Sequence, residues 1–277
     1  MRGPVYGARM RWLLFVLVAI VLVLRCKGDE PRTLRIATFN IENFPKSEKQ
    51  IAGAFAEIQA LDAPIVAVQE ITNPTVFESA MQRRLGTHWR FEYIESGSVL
   101  DHRIGVLYDS RVVRHRKTRV HRGTALEGQQ KPVMDVELEY RGQPLRVLVL
   151  HLKAGGENHP VRTRQYAALA KIIAEVRAAK QPIVLLGDFN ATGEADREDL
   201  AAVDLRWLTE PLECTAFWDR DDGCPRSRLD HILSTHAAHA VRAAGACATE
   251  GCAPQDSCPV YAHEVSDHCP VVVDITY

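Results

Sequence analysis

Short apolar runs that end abruptly in polar residues recur along this chain. Residues 34–39 (LRIATF) alternate like a half-buried strand and run into Asn40. Ser47, with Gln50 three residues on, has the form of a capping box, and Ile51, Phe55, Ile58 and Leu61 follow at helical spacing. Residues 64–68 read as a compact strand closing on Gln69 and Glu70. Asn73-Pro74 opens a helix that Gly86 stops. Strands are expected at 91–94 and 104–108, and a hairpin of 132–140 with 144–150 about Arg141-Gly142. An amphipathic helix follows, with Tyr166, Leu169, Ile173 and Val176 on one face. Residues 182–186 form a buried strand closing on Gly187-Asp188, and further strands are expected at 229–233 and 270–276. Strands and helices mixed in this way, with hairpin-length connections, predict an α/β fold with a mixed sheet rather than a repeated βα unit.

Composition narrows the class. The 277 residues are 46% hydrophobic and 25% charged, ordinary for a globular protein, which excludes wholesale disorder and a polytopic membrane protein. The formal charge of −1 is unevenly placed. Residues 1–26 hold four arginines and no acid, leaving 30 basic against 35 acidic side chains in the remainder. So acidic a body is not a general polyanion binder, and any nucleic-acid contact must come from a local patch or a bound cation.

Residues 12–24 (WLLFVLVAIVLVL) are unbroken apolar sequence behind a basic flank. As a helix they would span roughly 20 Å, short of a hydrocarbon core of ~30 Å. Residues 1–26 therefore read as an export signal, with a membrane anchor as the alternative, residues 27–33 as a linker, and 34–277 as one domain. Arg25 fits poorly both with cleavage and with lipidation of Cys26. The other six cysteines, Cys214, Cys224, Cys247, Cys252, Cys258 and Cys269, lie in the last quarter of the chain. An even number in an exported protein predicts disulfides rather than a zinc site, for which no CxxC pair is present. Their spacing leaves the connectivity open, although Cys214 and Cys224, in one aperiodic loop with nine residues between them, are expected to pair.

The candidate chemistry follows from position. The first strand delivers Asn40 and Glu42, the second Glu70, the hairpin His151 and Lys153, the next strand Asp188 and Asn190, and a later one Asp230 and His231. Asp267 and His268 precede the last strand. Any one of these has a plain structural reading, a turn-forming acid or a hydrogen-bonded histidine. Their repetition at strand ends, where a sheet presents a site, suits a hard cation beside a proton-transfer histidine. Acids with an amide favour Mg²⁺, Mn²⁺ or Ca²⁺ over Zn²⁺.

TFNIENF (38–44), AVQE (67–70), HLKAG (151–155), GDFN (187–190), RLDHIL (228–233) and SDHCPV (266–271) occur in an order that resembles the endonuclease/exonuclease/phosphatase superfamily, the deoxyribonuclease I-like group. The resemblance spans residues 34–277. It implies a four-layer α/β sandwich of two packed mixed sheets flanked by helices, with the site at one edge. It implies cation binding at Asn40, Glu70 and Asp267, with a direct or water-mediated role for Glu42. It implies catalytic roles for Asp188 (attacking water), Asn190 (scissile phosphate), His268 paired with Asp230, and His151, for which Asp101 is the candidate partner. Whether Asp188 or His268 is the base is left open.

The expected activity is exported, cation-dependent phosphodiester hydrolysis, most simply of nucleic acid, by a monomer that meets a membrane only through its amino-terminal segment. The alternatives are a sphingomyelinase-type phospholipid hydrolase, which needs an exposed docking hairpin that the sequence does not offer, and a non-catalytic binding protein on the same scaffold. The basic stretch 111–122 reads equally as a charged edge strand or a phosphate-contact surface. Arg162 and Arg164 are candidates for local phosphate contact.

Overall fold

Alternation and helical periodicity place the core on two sides of two sheets. In a computed structural model that describes residues 33–95, 101–191 and 193–276, Leu34–Thr276 form one compact unit. The expected export segment and linker lie outside the described residues. The first half runs β1 (Thr33–Phe44), α1 (Glu48–Ala60), β2 (Ile65–Ile71), α2 (Pro74–Leu85), β3 (Trp89–Ile94) and β4 (Arg103–Asp109). Both predicted helix starts are present: Ser47 Oγ accepts from Gln50 N and Asn73 Oδ1 from Val76 N, satisfying backbone donors that a first turn leaves bare.

The second half runs β5 (Val113–His121), β6 (Val133–Tyr140), β7 (Gln143–His151), α3 (His159–Arg177), β8 (Ile183–Asp188), α4 (Glu194–Leu200), β9 (Arg206–Trp207), β10 (Ala216–Phe217), β11 (Arg226–Ser227), β12 (Asp230–Ser234), β13 (Ala238–Ala243), α5 (Ala246–Glu250), α6 (Val260–Glu264) and β14 (Val271–Thr276). One six-stranded sheet has the order β13-β14-β1-β2-β4-β3 and the other β5-β6-β7-β8-β12-β9. Both are mixed: β1 runs parallel to β2 and β7 to β8, among antiparallel neighbours. Val66 and Val68 of β2 face outward into a core shared with α1 and α2, where Phe44, Phe55, Phe77 and Phe91 interlock. Ile183 and Leu185 of β8 face α3 and α4. The alternate residues, Ile65 and Ala67 or Val184 and Leu186, are fully buried on the opposite faces, and β2 packs against β7 and β8. The expected four-layer sandwich is therefore present.

Two corrections concern the polar and cysteine chemistry. The disulfides are Cys214–Cys252, Cys224–Cys258 and Cys247–Cys269. Cys214 does not pair with Cys224, because β10 and β11 separate these two cysteines onto different parts of a small apolar cluster that both help fill. Arg162 is not a phosphate ligand either. It is fully buried, and its Nε and Nη2 bond to Asp196 at 2.6 and 2.8 Å while Nη1 donates to the carbonyls of Lys153 and Gly155. Arg164 is exposed on α3, away from the cleft described below.

A stability prediction follows for the buried pair. Arg162→Ala strands a buried Asp196 carboxylate and should cost about 3–5 kcal/mol in urea unfolding. A loss under ~1 kcal/mol would show the pair to be solvent-screened.

Candidate active site

The site forms where strands of both sheets end side by side. His151 and Asp188 are register partners at the ends of β7 and β8, and Asp230 opposes Asp188 across β8 and β12. The close β7–β8 approach needs Gly187: at its φ of +140° a Cβ would lie 2.1 Å from the Leu150 carbonyl oxygen. Four of the nine positive-φ residues other than glycine, among the described residues, are at this edge: Glu42, Asn43, Glu70 and Asn190. Such backbone persists only where surrounding bonds over-determine it. Gln50 supplies several of them, donating Nε2 to the carbonyls of Ile41, Glu42 and Val265. Ser266 Oγ donates to the Asn40 carbonyl and accepts from His268 N, tying the two loops together.

Asn40 bridges the acids. Its Nδ2 donates to Glu70 Oε1 (3.3 Å) and Asp188 Oδ2 (3.0 Å), and its Oδ1 accepts from Glu42 N. It thus sits beside Glu70 with its amide nitrogen turned to the carboxylates. Glu42 uses Oε2 on Asp267 N and Lys46 Nζ, so it orients the Asp267 loop. Asn190 holds Asp188, its backbone N on Oδ1 and its Nδ2 on Oδ2, with a further bond to the Leu152 carbonyl. His268 Nδ1 meets Asp230 Oδ2 at 2.7 Å, and Thr215 Oγ1 donates to the same oxygen. His268 Nε2 then faces Asp188 and Asp267 at 3.9 and 4.0 Å. His151 Nε2 lies 3.5 Å from Asp188 and 3.8 Å from Glu70. Asp101 does not hold His151, since its carboxylate pairs with Arg103.

Burial and neighbouring charge set the proton inventory. Burial alone would lower the His268 pKa, but Asp230, Asp188 and Asp267 together hold it well above the ordinary imidazole value. His151 is held well below that value by burial, with Lys131, His268 and His102 adding to the effect. Burial pushes Asp188 up to about 7, with Asp230 and Glu70 supporting the shift and His268 opposing it. Asp267 rises to about 6 through burial and through Glu42 and Glu70, again against His268. Imidazolium at His268, neutral imidazole at His151 and a titrating carboxyl at Asp188 are therefore present together.

The donor set fits a hard divalent cation at Glu70 and Asp267. Asp267 Oδ1 is buried and has no hydrogen-bond partner, and its pKa is raised by burial and then by the neighbouring acids, a condition that a cation would relieve. Asp188, Asp230 and His268 also bring ligand atoms within 4.8 Å of one another. The direct bond of a charged His268 to Asp230 suits proton handling there rather than a cation seat.

Two neighbours were not visible in the sequence pattern. His102 Nε2 bonds to Asn43 Oδ1 at 2.7 Å, with Nδ1 3.8 Å from Glu70. Lys131 lies within the field of Glu70 and Asp188, and burial holds it below the usual lysine range against their pull. Both stand just before a strand rather than at the end of one. The cleft has a volume of about 280 Å³ and is lined by Glu70, His151, Asp188, Asn190, Asp267 and His268 together with Phe217 and Trp218.

The sequence matches the model of the Endonuclease/Exonuclease/phosphatase family over residues 37–268. The chain belongs to this family. Its members hydrolyse phosphoric esters and generally depend on a divalent cation. No curated protein matches the chain in sequence. Solved structures share the fold. TDP2 from D. rerio, complexed with single strand DNA product, is 15% identical, with a TM-score of 0.68 over 88% of this chain and 99% of that one. The human Nocturnin catalytic domain with bound sulfate is 20% identical, with a TM-score of 0.66 over 88% and 94%. The Bacteroides thetaiotaomicron mannosyl-6-phosphatase is 15% identical, with a TM-score of 0.63 over 88% and 100%.

Proposed function

We propose that this family member is an exported, divalent-cation-dependent nuclease, with Mg²⁺ as the working ion. The observation that carries the reading is a cleft lined by Glu70, Asp188, Asp267, His151 and His268 together with an aromatic wall of Phe217 and Trp218. Trp218 is half exposed at that wall, and the Arg220 guanidinium stacks on its ring at 4.8 Å. A π face beside a cationic group suits a nucleobase next to the scissile phosphate. The TDP2 relative with its DNA product is consistent with such a substrate, whereas the mannosyl-6-phosphatase shows that the fold also serves sugar phosphates.

A phospholipid substrate is less well supported. The large exposed apolar side chains among the described residues are Tyr93, Val120, Trp218 and Val260, each on or beside a different element, and none belongs to a single exposed apolar hairpin. Export is supported by three disulfides, which persist in oxidising compartments, and by the apolar amino-terminal run. No helix among the described residues is long and apolar enough to cross a membrane.

In the proposed reaction Asp188, fixed by Asn40 and Asn190, accepts a proton from the attacking water. His268, kept cationic by Asp230, points Nε2 toward the phosphoryl oxygens and stabilises the charge that develops there. Neutral His151 offers a hydrogen bond without bringing a second charge into the cleft. A cation held by Glu70 and Asp267 would lower the repulsion between a phosphodiester and hydroxide. Attack forms one P–O bond as the bond to the leaving oxygen breaks; Asp188 holds the water's proton, the departing oxygen is protonated from solvent, and the products are a phosphate monoester and an alcohol.

A panel of single- and double-stranded DNA, RNA, sphingomyelin vesicles and mannose 6-phosphate, each with Mg²⁺, tests the substrate. DNA or RNA should be turned over at least about tenfold faster, in kcat/KM, than the others, a transition-state preference of about 1.4 kcal/mol. Preferential hydrolysis of sphingomyelin or of the sugar phosphate would overturn the nuclease reading.

A further inference from the structure

The basic stretch 111–122 is only partly absorbed by the fold. β5 is an edge strand, and Arg116 and Arg119 pair across it with Glu139 and Glu137, while Arg111 pairs with Asp109. Those three cations match the charged-edge reading. Arg122 is different. It opens the 3-10 turn Arg122–Ala125, is exposed, and has no carboxylate partner among the described residues. Across a groove of about 490 Å³ stand Arg164 and Lys171 of α3, also exposed and without such a partner.

The groove is built for close approach. Arg164 and Lys171 are seven residues apart, two turns along one helix face and roughly 10 Å in rise. Between them Ala167 and Ala168 leave a shallow floor, with Gly123 opposite Ala168 and Ile172. Glu175 is the acid at its rim. His121 also lines it and is paired with Asp135.

Topology connects this groove to the cleft. His121 pairs with Val133, and Met134 with Val149, so the end of β5 lies on the sheet edge that carries His151 and Asp188. Thr124 Oγ1 donates to the carbonyl of Lys131, the lysine that senses Glu70 and Asp188. Gln165 of α3 donates to the Thr124 carbonyl and accepts from Lys153 N in the loop lining the cleft. A strand leaving the cleft past Lys131 would therefore meet Arg122, then Arg164 and Lys171.

We propose that the groove between the turn Arg122–Ala125 and α3 is a second phosphate-backbone contact, which holds nucleic acid several nucleotides from the scissile bond. The inference rests on the nuclease reading for its ligand. It adds an anchoring track outside the cleft to an otherwise acidic surface, so that long substrates are held better than short ones.

The test is fluorescence anisotropy of a labelled single-stranded DNA of about 30 nucleotides, a length that exceeds common single-strand site sizes, with the full chain in chelator so that nothing is cut. The double variant R122E/K171E should bind at least about tenfold more weakly than wild type. The slope of log K against log salt should become shallower by about 1.4, because two phosphates of a single strand are no longer neutralised. Turnover of bis(4-nitrophenyl) phosphate, too small to reach the groove, should stay unchanged. R122A/K171A serves if the charge reversal fails to fold, and should weaken binding in the same direction.

Binding by the variant within twofold of wild type, or no salt-dependent binding by wild type, would overturn the proposal. Cleavage of the same DNA with Mg²⁺ is scored separately. DNA held through the groove but left uncut would defeat the nuclease reading while the groove stands. Efficient cleavage with no weakening of binding in the variant would defeat the groove while the nuclease reading stands.

Discussion

His268→Ala should lower kcat on a phosphodiester by roughly 10²- to 10⁴-fold. The imidazole is kept charged by Asp230 through Nδ1 and has no hydrogen bond on Nε2 among the described residues, so its loss removes the cationic donor left for the substrate. The variant should also be less stable. Asp230 is fully buried and its Oδ1 already lacks a partner, so deleting the histidine leaves a poorly satisfied carboxylate. Asp230→Asn in the same background should recover stability while kcat stays low, because the two residues act as one unit. Unfolding midpoints and steady-state kinetics on the three variants separate the two effects. A folded His268→Ala protein with wild-type kcat would take this residue out of the mechanism.

The second large effect is on stability against pH in the metal-free protein. Asp188 and Asp267, pushed up to about 7 and about 6, keep protons in the folded state that the unfolded chain has already released. A raised carboxyl stabilises the fold below its unfolded pKa, and that contribution is lost as pH rises through the folded value. His268, raised well above the usual imidazole range, has the same sign from neutral pH upward. His151, His231 (down to about 3) and His102, all held low by burial, oppose them below about pH 6.5. Asp109 and Asp274, held below the usual carboxylate range by arginine partners, and Asp135, held there by His121 and Arg146, finish titrating under this window, burial being outweighed at Asp109 and Asp135. The thermal midpoint of chelated protein should therefore fall by about 4 °C or more between about pH 5 and 8. Added Mg²⁺ should raise it, and more at pH 8, where the acids are ionised and ready to bind. A midpoint that climbs across this range would contradict the raised carboxyls at Asp188 and Asp267, and a Mg²⁺ shift equal at both ends would contradict the assignment of Asp267 to a cation site.

The sheets and helices were largely legible because their signals are local. The alternating run at 34–39, the short apolar run at 64–68 and the caps at Ser47 and Asn73 each need only neighbouring residues. The site was legible in outline for a related reason: strand ends are where polar residues interrupt apolar runs, and the strand ends converge. What could not be read depends on contacts far apart in the chain. Asp196 claims Arg162 from 34 residues away, which turned a candidate phosphate ligand into a clamp on the loop below the cleft. The cysteine connectivity follows from tertiary packing of a segment with little periodicity, so proximity in sequence misled for Cys214 and Cys224. β13, with the mixed pattern AHAVRA, becomes a strand by pairing with β14 and not by its own propensity. Gln50 reads as a cap residue alone, while its side chain also gathers three carbonyls of the site loops.

The most direct test is cleavage of a labelled DNA by protein stripped of metal with chelator and then dialysed. Strand scission should be at background in the stripped protein, return on addition of Mg²⁺, and fail to return in Glu70→Gln at the same Mg²⁺ concentration. Full cleavage by stripped protein, or Mg²⁺ restoration that is indifferent to Glu70, would contradict a cation-dependent nuclease centred on this cleft.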